Sequence, residues 1–198
     1  MSADFAQAHV VEARLRRLQE NYLAGESSAR AALSHLRRSI GKPPGSIPEV
    51  WSITALPTGE YRGDTPTYEE NAAHWVFGLY ARHQQSQASP MHVRERSAAI
   101  GSAVRTLAYR EDSGSETNGV ERRFQAAASA ATLAELGMHL ASLIGRLRSN
   151  AISVDYVQLY KDLVRFQQPG GRHDVQRRWA RDYVAMPSSN EDSALTHH

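Results

Sequence analysis

Apolar residues recur along most of this chain at spacings of three and four residues, the period of an amphipathic α-helix. The first such stripe is Ala8, Val11, Leu15, Leu18 and Tyr22, and it ends before Gly25. The same period returns in seven later segments, and none of them alternates apolar and polar residues as a half-buried strand does. We therefore predict an all-α fold, a compact bundle of about eight helices with no sheet.

Glycines, prolines and capping residues set the predicted helix ends. The second helix runs from about Ser28 to Ile40, because Gly41 and the prolines after it prevent continuation. The remaining six are expected at about Thr67 to Gln85, Arg96 to Tyr109, Val120 to Ala131, Leu133 to Leu147, Ser153 to Phe166 and Val175 to Tyr183. Thr132 and Glu135 have the spacing of a capping box at the start of the sixth helix.

Two segments have the composition of long loops. Residues 41–66 are rich in proline and glycine, and we expect Ile47, Val50 and Trp51 to attach this loop to the core. Residues 110–119 are almost entirely polar. Gly101, in the middle of the fourth helix, destabilises that helix unless another backbone packs closely against it.

We predict one all-helical domain over residues 1–186, with sub-bundles at residues 1–90 and 91–186 as a further division. Residues 187–198 are expected to form a disordered tail. No apolar run is long enough to span a membrane, and the N-terminus lacks the features of a signal peptide. We expect a cytoplasmic protein with no membrane partner.

Signatures of catalysis are absent from the sequence. No cysteine is present, which excludes thiolate metal sites, and none of the nine histidines lies four residues from another. The segment "GKPPGS" fails the P-loop pattern, because proline follows the lysine where Ser or Thr is needed. Asp155 and Asp162 share a helix face, but Lys161 and Arg165 are close enough to pair with them. We therefore predict no metal, no cofactor and no enzymatic activity.

Basic residues are the remaining candidates for function. The net charge is only +2, and Lys42 and Lys161 are the only lysines, so nearly all the positive charge is on arginine. Arginine suits phosphate recognition, but GC-rich coding also produces an arginine excess, and composition leaves both explanations open.

The positions of the arginines say more than their number. Arg30, Ser34, Arg37 and Arg38 lie on one flank of the second helix, beside its apolar stripe. Arg82 lies on the Trp75 side of the third helix. Further arginines flank later helices, at Arg105, Arg122, Arg123, Arg177, Arg178 and Arg181. Each one taken alone fits a solvated face or an ion pair, whereas together they fit an extended series of contacts with a sugar-phosphate backbone.

A series of segments, taken in order, resembles a known family. The series is "ARAALSHLRRSIGKPPGSIPEVW", "LYARHQQS", "SAAIGSAVRTL", "ERRFQAAASAATLAELGMHLASLIGRLR", "ISVDYVQLYKDL" and "RRWARDYV", spread over about residues 26–185. It closely resembles the CasB family, the small subunit of the type I-E CRISPR surveillance complex, Cascade. No single segment is diagnostic, but the order and spacing of the whole series are specific.

The resemblance implies a non-catalytic, all-helical subunit that acts in antiviral defence. Its implied partners are the backbone and large subunits of Cascade, a second copy of itself, the guide RNA (crRNA), and the target and non-target DNA strands of the R-loop. The residues that match the family's basic segments are Arg37, Arg38, Arg82, His83, Gln84, Arg105, Arg122 and Arg123, with Arg30 and Lys42 in support. We predict that these ten bind nucleic acid, with Arg123, beside Phe124, the one most suited to a structural role.

Two other classes of protein stay open at this point. A helical transcription regulator fits the size and fold, but it needs a short helix-turn-helix, and here a Pro-rich loop follows the second helix. An all-α enzyme needs an acid-base pair or a set of metal ligands, which the sequence does not offer.

Overall fold

The computed structural model describes residues 7–57, 65–111 and 119–185, and within them the chain forms nine α-helices and no strand. The helices are α1 (Ala8–Leu23), α2 (Ser27–Ser39), α3 (Trp51–Thr54), α4 (Tyr68–Gln84), α5 (Ile100–Glu111), α6 (Gly119–Ser129), α7 (Leu133–Ser149), α8 (Tyr156–Gln167) and α9 (Gly171–Val184). The all-α prediction is confirmed. None of the described helices is both long and apolar enough to cross a membrane.

The short helix α3 is the one that the sequence pattern missed. It lies inside the predicted loop, directly after a 3₁₀ turn at Pro48–Val50. Val50 and Thr54 are buried, and the Thr54 hydroxyl donates to the Val50 carbonyl at 3.0 Å. Trp51 is 52% exposed and its indole N–H donates to the Gly45 carbonyl at 2.8 Å. The prediction that Trp51 attaches the loop to the core is therefore wrong, because the indole fastens the loop to itself.

Helix starts follow local capping chemistry. Thr67 and Glu70 form a complete capping box at α4. At α7 the Thr132 side chain accepts from the Glu135 N–H at 3.2 Å, but the Glu135 carboxylate accepts from the N–H of Ala131, at 2.8 Å. Only half of the predicted capping box is thus present. α8 begins later than predicted because the Asp155 carboxylate caps it.

Helix α4 lies at the centre of the bundle and packs against α2, α7 and α8. Every residue from Ala72 to Ala81 is buried, which explains why this helix carries apolar strips on two sides. The buried apolar residues form a cluster that extends from α1 to α9. The division into sub-bundles stays a prediction, and the predicted tail lies outside the described residues.

Glycines allow two of the helix crossings to be close. A Cβ on Gly101 of α5 would lie 2.5 Å from the Trp179 carbonyl oxygen of α9, which confirms the close backbone contact expected at this glycine. A Cβ on Gly137 of α7 would collide with the Trp75 ring of α4. This second crossing fixes the register of α4 against α7, and that register determines where the basic side chains near the end of α4 lie.

Candidate nucleic-acid interface

Helix α2 presents the basic flank that its sequence predicts. Leu33 and Leu36 are fully buried, while Arg30 and Arg38 are exposed and Arg37 is half-buried. A guanidinium nitrogen of Arg38 lies 2.7 Å from Nδ1 of His35. Arg30 and Arg37, two helical turns apart, share a face.

The Arg38 side of α2 faces the segment that leads to α3. His35, the partner of Arg38, has its Nδ1 3.7 Å from a Glu49 carboxylate oxygen. Lys42 is exposed just beyond the end of α2. Arg38 therefore faces this segment, of which Lys42 is itself a part.

Arg82 lies on the Trp75 side of α4, as predicted, and the structure shows that this side faces α7. A Cβ placed on Gly145 of α7 would be 3.3 Å from a terminal guanidinium nitrogen of Arg82. Since Trp75 packs over Gly137 and Arg82 packs over Gly145, the two helices run parallel. The absence of a side chain at Gly145 lets the guanidinium lie directly on the surface of α7.

The predicted contacts of His83 and Gln84 with nucleic acid are wrong, because both side chains are 0% exposed. Helical periodicity turns these two residues inward, away from the surface that exposes Arg82. His83 Nδ1 lies 3.0 Å from the Tyr156 hydroxyl of α8. Burial lowers the pKa of His83 to about 3, so this imidazole is neutral at physiological pH.

Gln84 organises the segment that follows α4. Its side-chain amide donates to the carbonyl oxygens of Gln87, at 3.2 Å, and Ser89, at 2.9 Å. Its side-chain oxygen accepts from the N–H of Met91 at 3.0 Å. Gln84 thus has a structural role behind Arg82, since it holds the chain that turns away from the end of α4.

Arg148, near the end of α7, is a basic residue that sequence reasoning missed. One of its guanidinium nitrogens donates to the Gln85 side-chain oxygen at 3.1 Å. Burial lowers the pKa of Arg37, while Tyr22 acts to raise it and the positive charge of Arg148 acts to lower it further. The segment "GRLR" contains Arg148, but its hydrogen bond to Gln85 follows only from the packing of α7 against α4.

We refer to Arg37, Arg82 and Arg148 as the three-arginine cluster. They come from α2, α4 and α7. Within the described residues, none of the three forms an ion pair with a carboxylate. Positively charged forks without counter-charges are the groups that bind phosphate oxygens.

Three other predicted residues belong to a different part of the surface. The Arg105 guanidinium on α5 donates to the Ala185 carbonyl, just after α9. Arg122 is exposed on α6. Arg123 donates to the Gly119 carbonyl at 3.0 Å, within the first turn of its own helix. Arg105 and Arg123 thus make structural contacts. Among the described residues, no contact occupies the guanidinium group of Arg122.

Three arginines on α8 and α9, Arg165, Arg177 and Arg178, have carboxylate partners. Asp174 accepts from both Arg165 and Arg177, and Asp162 accepts from Arg178. The ion pairing expected for Asp162 is present, although its cation is Arg178 of α9. The second carboxylate, Asp155, pairs with a different cation as well: its partner is Arg94, at 3.2 Å.

Metal chemistry finds no support in the described part of the chain, where no group of three or more His, Asp or Glu residues could hold an ion. What the surface offers is hydrogen-bond donation and positive charge.

Comparison with known proteins identifies the family. The family model described as CRISPR-associated protein Cse2 matches residues 32–183. This chain belongs to the Cse2 family. A Cse2 protein of Thermus thermophilus is 29% identical over 181 residues, which cover 90% of each protein. The resemblance to the CasB family seen in the sequence is thereby confirmed.

Solved structures of related proteins share the fold. CasB from Thermobifida fusca is 30% identical and has a TM-score of 0.72, with 90% of this chain and 97% of that chain covered. A chain of a CRISPR RNA-guided surveillance complex is 25% identical, with a TM-score of 0.61 and coverage of 89% and 92%. CasB of M. ruber is 24% identical and has a TM-score of 0.63, with 86% of this chain and 91% of that chain covered. It shares the fold.

Proposed function

We propose that this Cse2-family chain is a non-catalytic subunit of a type I-E CRISPR RNA-guided surveillance complex (Cascade), where it binds the backbones of nucleic-acid strands. Membership of the Cse2 family supports the proposal that this chain is part of such a complex, as does its similarity to a chain of a CRISPR RNA-guided surveillance complex. The observation that carries the nucleic-acid role is the three-arginine cluster, because its guanidinium groups have no carboxylate partner among the described residues.

The physics of RNA-guided recognition explains why such a surface suffices. Base pairing between guide and target reads the sequence, so a small subunit needs only charge and phosphate contacts. R-loop formation is nearly balanced in free energy, and contacts of about 1 kcal/mol each therefore decide whether the open state persists. The proposed role is to stabilise the guide RNA-target DNA duplex and the displaced strand, in antiviral defence.

The proposed partners are the backbone and large subunits of Cascade, a second copy of this chain, the crRNA, and both DNA strands. The residues proposed to contact nucleic acid are Arg30, Arg37, Arg38, Lys42, Arg82, Arg105, Arg122 and Arg123, with Arg148 added from the structure. Arg105 and Arg123 must exchange or share their present carbonyl partners to do so.

The test is R-loop formation by the assembled complex with Arg37, Arg38 and Arg82 all replaced by Ala. We expect normal assembly and a shorter R-loop lifetime. Arg177→Ala is the matched control, since Arg177 is exposed but paired with Asp174, and it should leave the lifetime unchanged. An unchanged lifetime in the triple variant would contradict the proposal, and failure to assemble would reassign these residues to subunit contacts.

A further inference from the structure

We propose that the groove between α1, α2 and α3 is a docking site for an amphipathic segment of a partner protein. This segment inserts an aliphatic side chain between α1 and α2 and places a carboxylate against Arg14 and Arg17. The inference goes beyond the proposed function, because none of the arginines proposed to contact nucleic acid lines the groove.

The groove is large enough to hold side chains from another molecule. Its volume is about 330 Å³, and ligand sites in proteins have volumes of about 300–1,000 Å³. One face of α1 forms the first wall, where Arg14, Leu18 and Asn21 follow one another at spacings of four and three residues, with Arg17 beside them. The start of α2 and the short helix α3 form the rest.

Small apolar side chains keep the floor of the groove open. Leu18 of α1 and Ala29 of α2 are buried there, and Ala32 of α2 and Ile53 of α3 are half-buried. The two alanines fill much less space than a leucine at either position would. An aliphatic side chain from outside therefore has room between α1 and α2, and its removal from water favours binding.

Positive charge lies at the α3 end of the groove. A guanidinium nitrogen of Arg14 donates to the Ile53 carbonyl at 2.9 Å and also to the Ala55 carbonyl, and neither partner carries a negative charge. Arg17 is exposed. Among the described residues, neither Arg14 nor Arg17 forms an ion pair. A carboxylate of a partner supplies the counter-charge that these residues do not.

The other end of the groove lies at the turn between α1 and α2 and differs in charge. Asn21 and Ser28 line this end, and a Glu26 carboxylate oxygen lies 3.4 Å from the Ser28 hydroxyl. Negative charge at the turn and positive charge at α3 give the groove a direction. The carboxylate of the bound segment therefore lies at the α3 end.

A protein segment suits this groove better than a nucleic-acid strand. A phosphate placed over the apolar floor loses water without gaining hydrogen-bond donors there. A Glu or Asp close to a Leu or Ile in one amphipathic segment matches both the floor and the arginines. The family model begins at residue 32, after most of the lining residues, so family membership alone does not predict this groove.

Peptide selection on the full chain tests the chemistry of the occupant. The probe is a phage library of random peptides of about 12 residues, selected on the unmodified chain and counter-selected on Ala32→Trp, in which the indole fills the groove. We expect the recovered peptides to carry Leu, Ile or Met within about four residues of Glu or Asp. Recovered peptides without a carboxylate, or no peptide that prefers the unmodified chain, would overturn the proposal.

Charge reversal tests the role of arginine without filling the groove. Arg17→Glu should weaken the binding of a recovered peptide about tenfold, because repulsion replaces attraction. Arg16→Glu is the matched control: Arg16 is also exposed on α1, lies 3.8 Å from Glu20 and is not among the lining residues. This control should bind the peptide like the unmodified chain. Equal affinities of the two variants would contradict the carboxylate contact.

Two competition measurements separate a partner protein from other occupants. Single-stranded DNA should leave the bound peptide in place. Displacement by DNA, with a loss of DNA affinity in Arg17→Glu, would mean that the groove binds nucleic acid and that the protein occupant is wrong. Self-association of the unmodified chain in sedimentation that Arg17→Glu abolishes would assign the groove to a second copy of this chain, and it would likewise overturn the proposal.

Discussion

Two regions of this chain use arginine in opposite ways. The three-arginine cluster, whose members lie on α2, α4 and α7, has no carboxylate partner among the described residues. On α8 and α9, Asp174 pairs with two arginines and Asp162 pairs with Arg178. The residue type is the same, and the difference lies in where the carboxylates are. An arginine contributes to binding when its counter-charge must come from a ligand, and to folding when the chain itself supplies it.

The largest effect is expected where the pairing is buried. Asp162 is 2% exposed and accepts from Arg178, Gln158 and the Trp179 indole N–H. Asp162→Ala leaves these donors without a partner, and we expect a loss of about 3–5 kcal/mol in the free energy of unfolding, measured with urea. Asp162→Asn keeps an acceptor and should lose less.

The same Asp162 variants also test the division between the two arginine regions, because Asp162 is expected to affect folding and not DNA binding. At temperatures where the Asp162→Asn protein is folded, its affinity for single-stranded DNA should equal that of the unmodified chain. A large change in affinity with little change in stability would contradict the division between the two regions.

Acid should affect folding and leave the arginine surface unchanged. The pKa of His83 is lowered to about 3 in the folded chain, whereas the unfolded chain takes up this proton near pH 6.5. Stability from the neutral imidazole is thus complete above pH 6.5 and is lost as the pH falls, by about 1.4 kcal/mol per pH unit. We expect unfolding free energies to drop by about 2 kcal/mol between pH 6.5 and pH 5 from this group alone.

Two measurements check the acid prediction. His83→Leu should show a shallower dependence of stability on pH than the unmodified chain. DNA affinity at fixed salt should stay constant over the pH range in which the protein is folded, because guanidinium groups do not titrate there. An affinity that follows the histidine titration would contradict the assignment of binding to arginine.

A carboxylate placed within the three-arginine cluster should pair with its arginines, as Asp162 and Asp174 pair with arginines on α8 and α9. Gln85→Glu places a negative charge where the side-chain oxygen now accepts from Arg148. We expect about fivefold weaker binding of single-stranded DNA, from the loss of roughly 1 kcal/mol, in a titration at fixed salt. Gln85→Ala removes the hydrogen bond without adding charge and should weaken binding less. Equal losses in the two variants would show that charge is not the cause.

The smallest effect is expected when a carboxylate is removed from the paired arginines of α8 and α9. Asp174→Asn removes the partner of Arg165 and Arg177, and the hydrogen bond from Arg165 is the main cause of the lowered pKa of this carboxyl. The freed arginines should raise DNA affinity by about twofold at most, since they lie outside the three-arginine cluster. An increase as large as the loss in Gln85→Glu would mean that any unpaired arginine serves equally well.

Most local features of the fold were predictable from the sequence, and most contacts between distant residues were not. The end of α2 before Gly41 and the close helix contact at Gly101 were both predicted from the residue types at these positions. His83 and Gln84 adjoin Arg82 in the chain, but the helical period turns both to the buried side of α4, where His83 contacts Tyr156 of α8. Arg148 of α7 donates to Gln85 at the end of α4, and no spacing along the chain encodes that contact.

The most direct test of the account is arginine-specific chemical footprinting of the full chain, read by mass spectrometry, with and without a single-stranded DNA. We predict that Arg37, Arg82 and Arg148 become protected together as DNA is added, with one shared midpoint. Arg177, which is exposed but paired with Asp174, should react to the same extent in both conditions. Equal protection of Arg177 and the three-arginine cluster, or no protection of the cluster, would contradict the account.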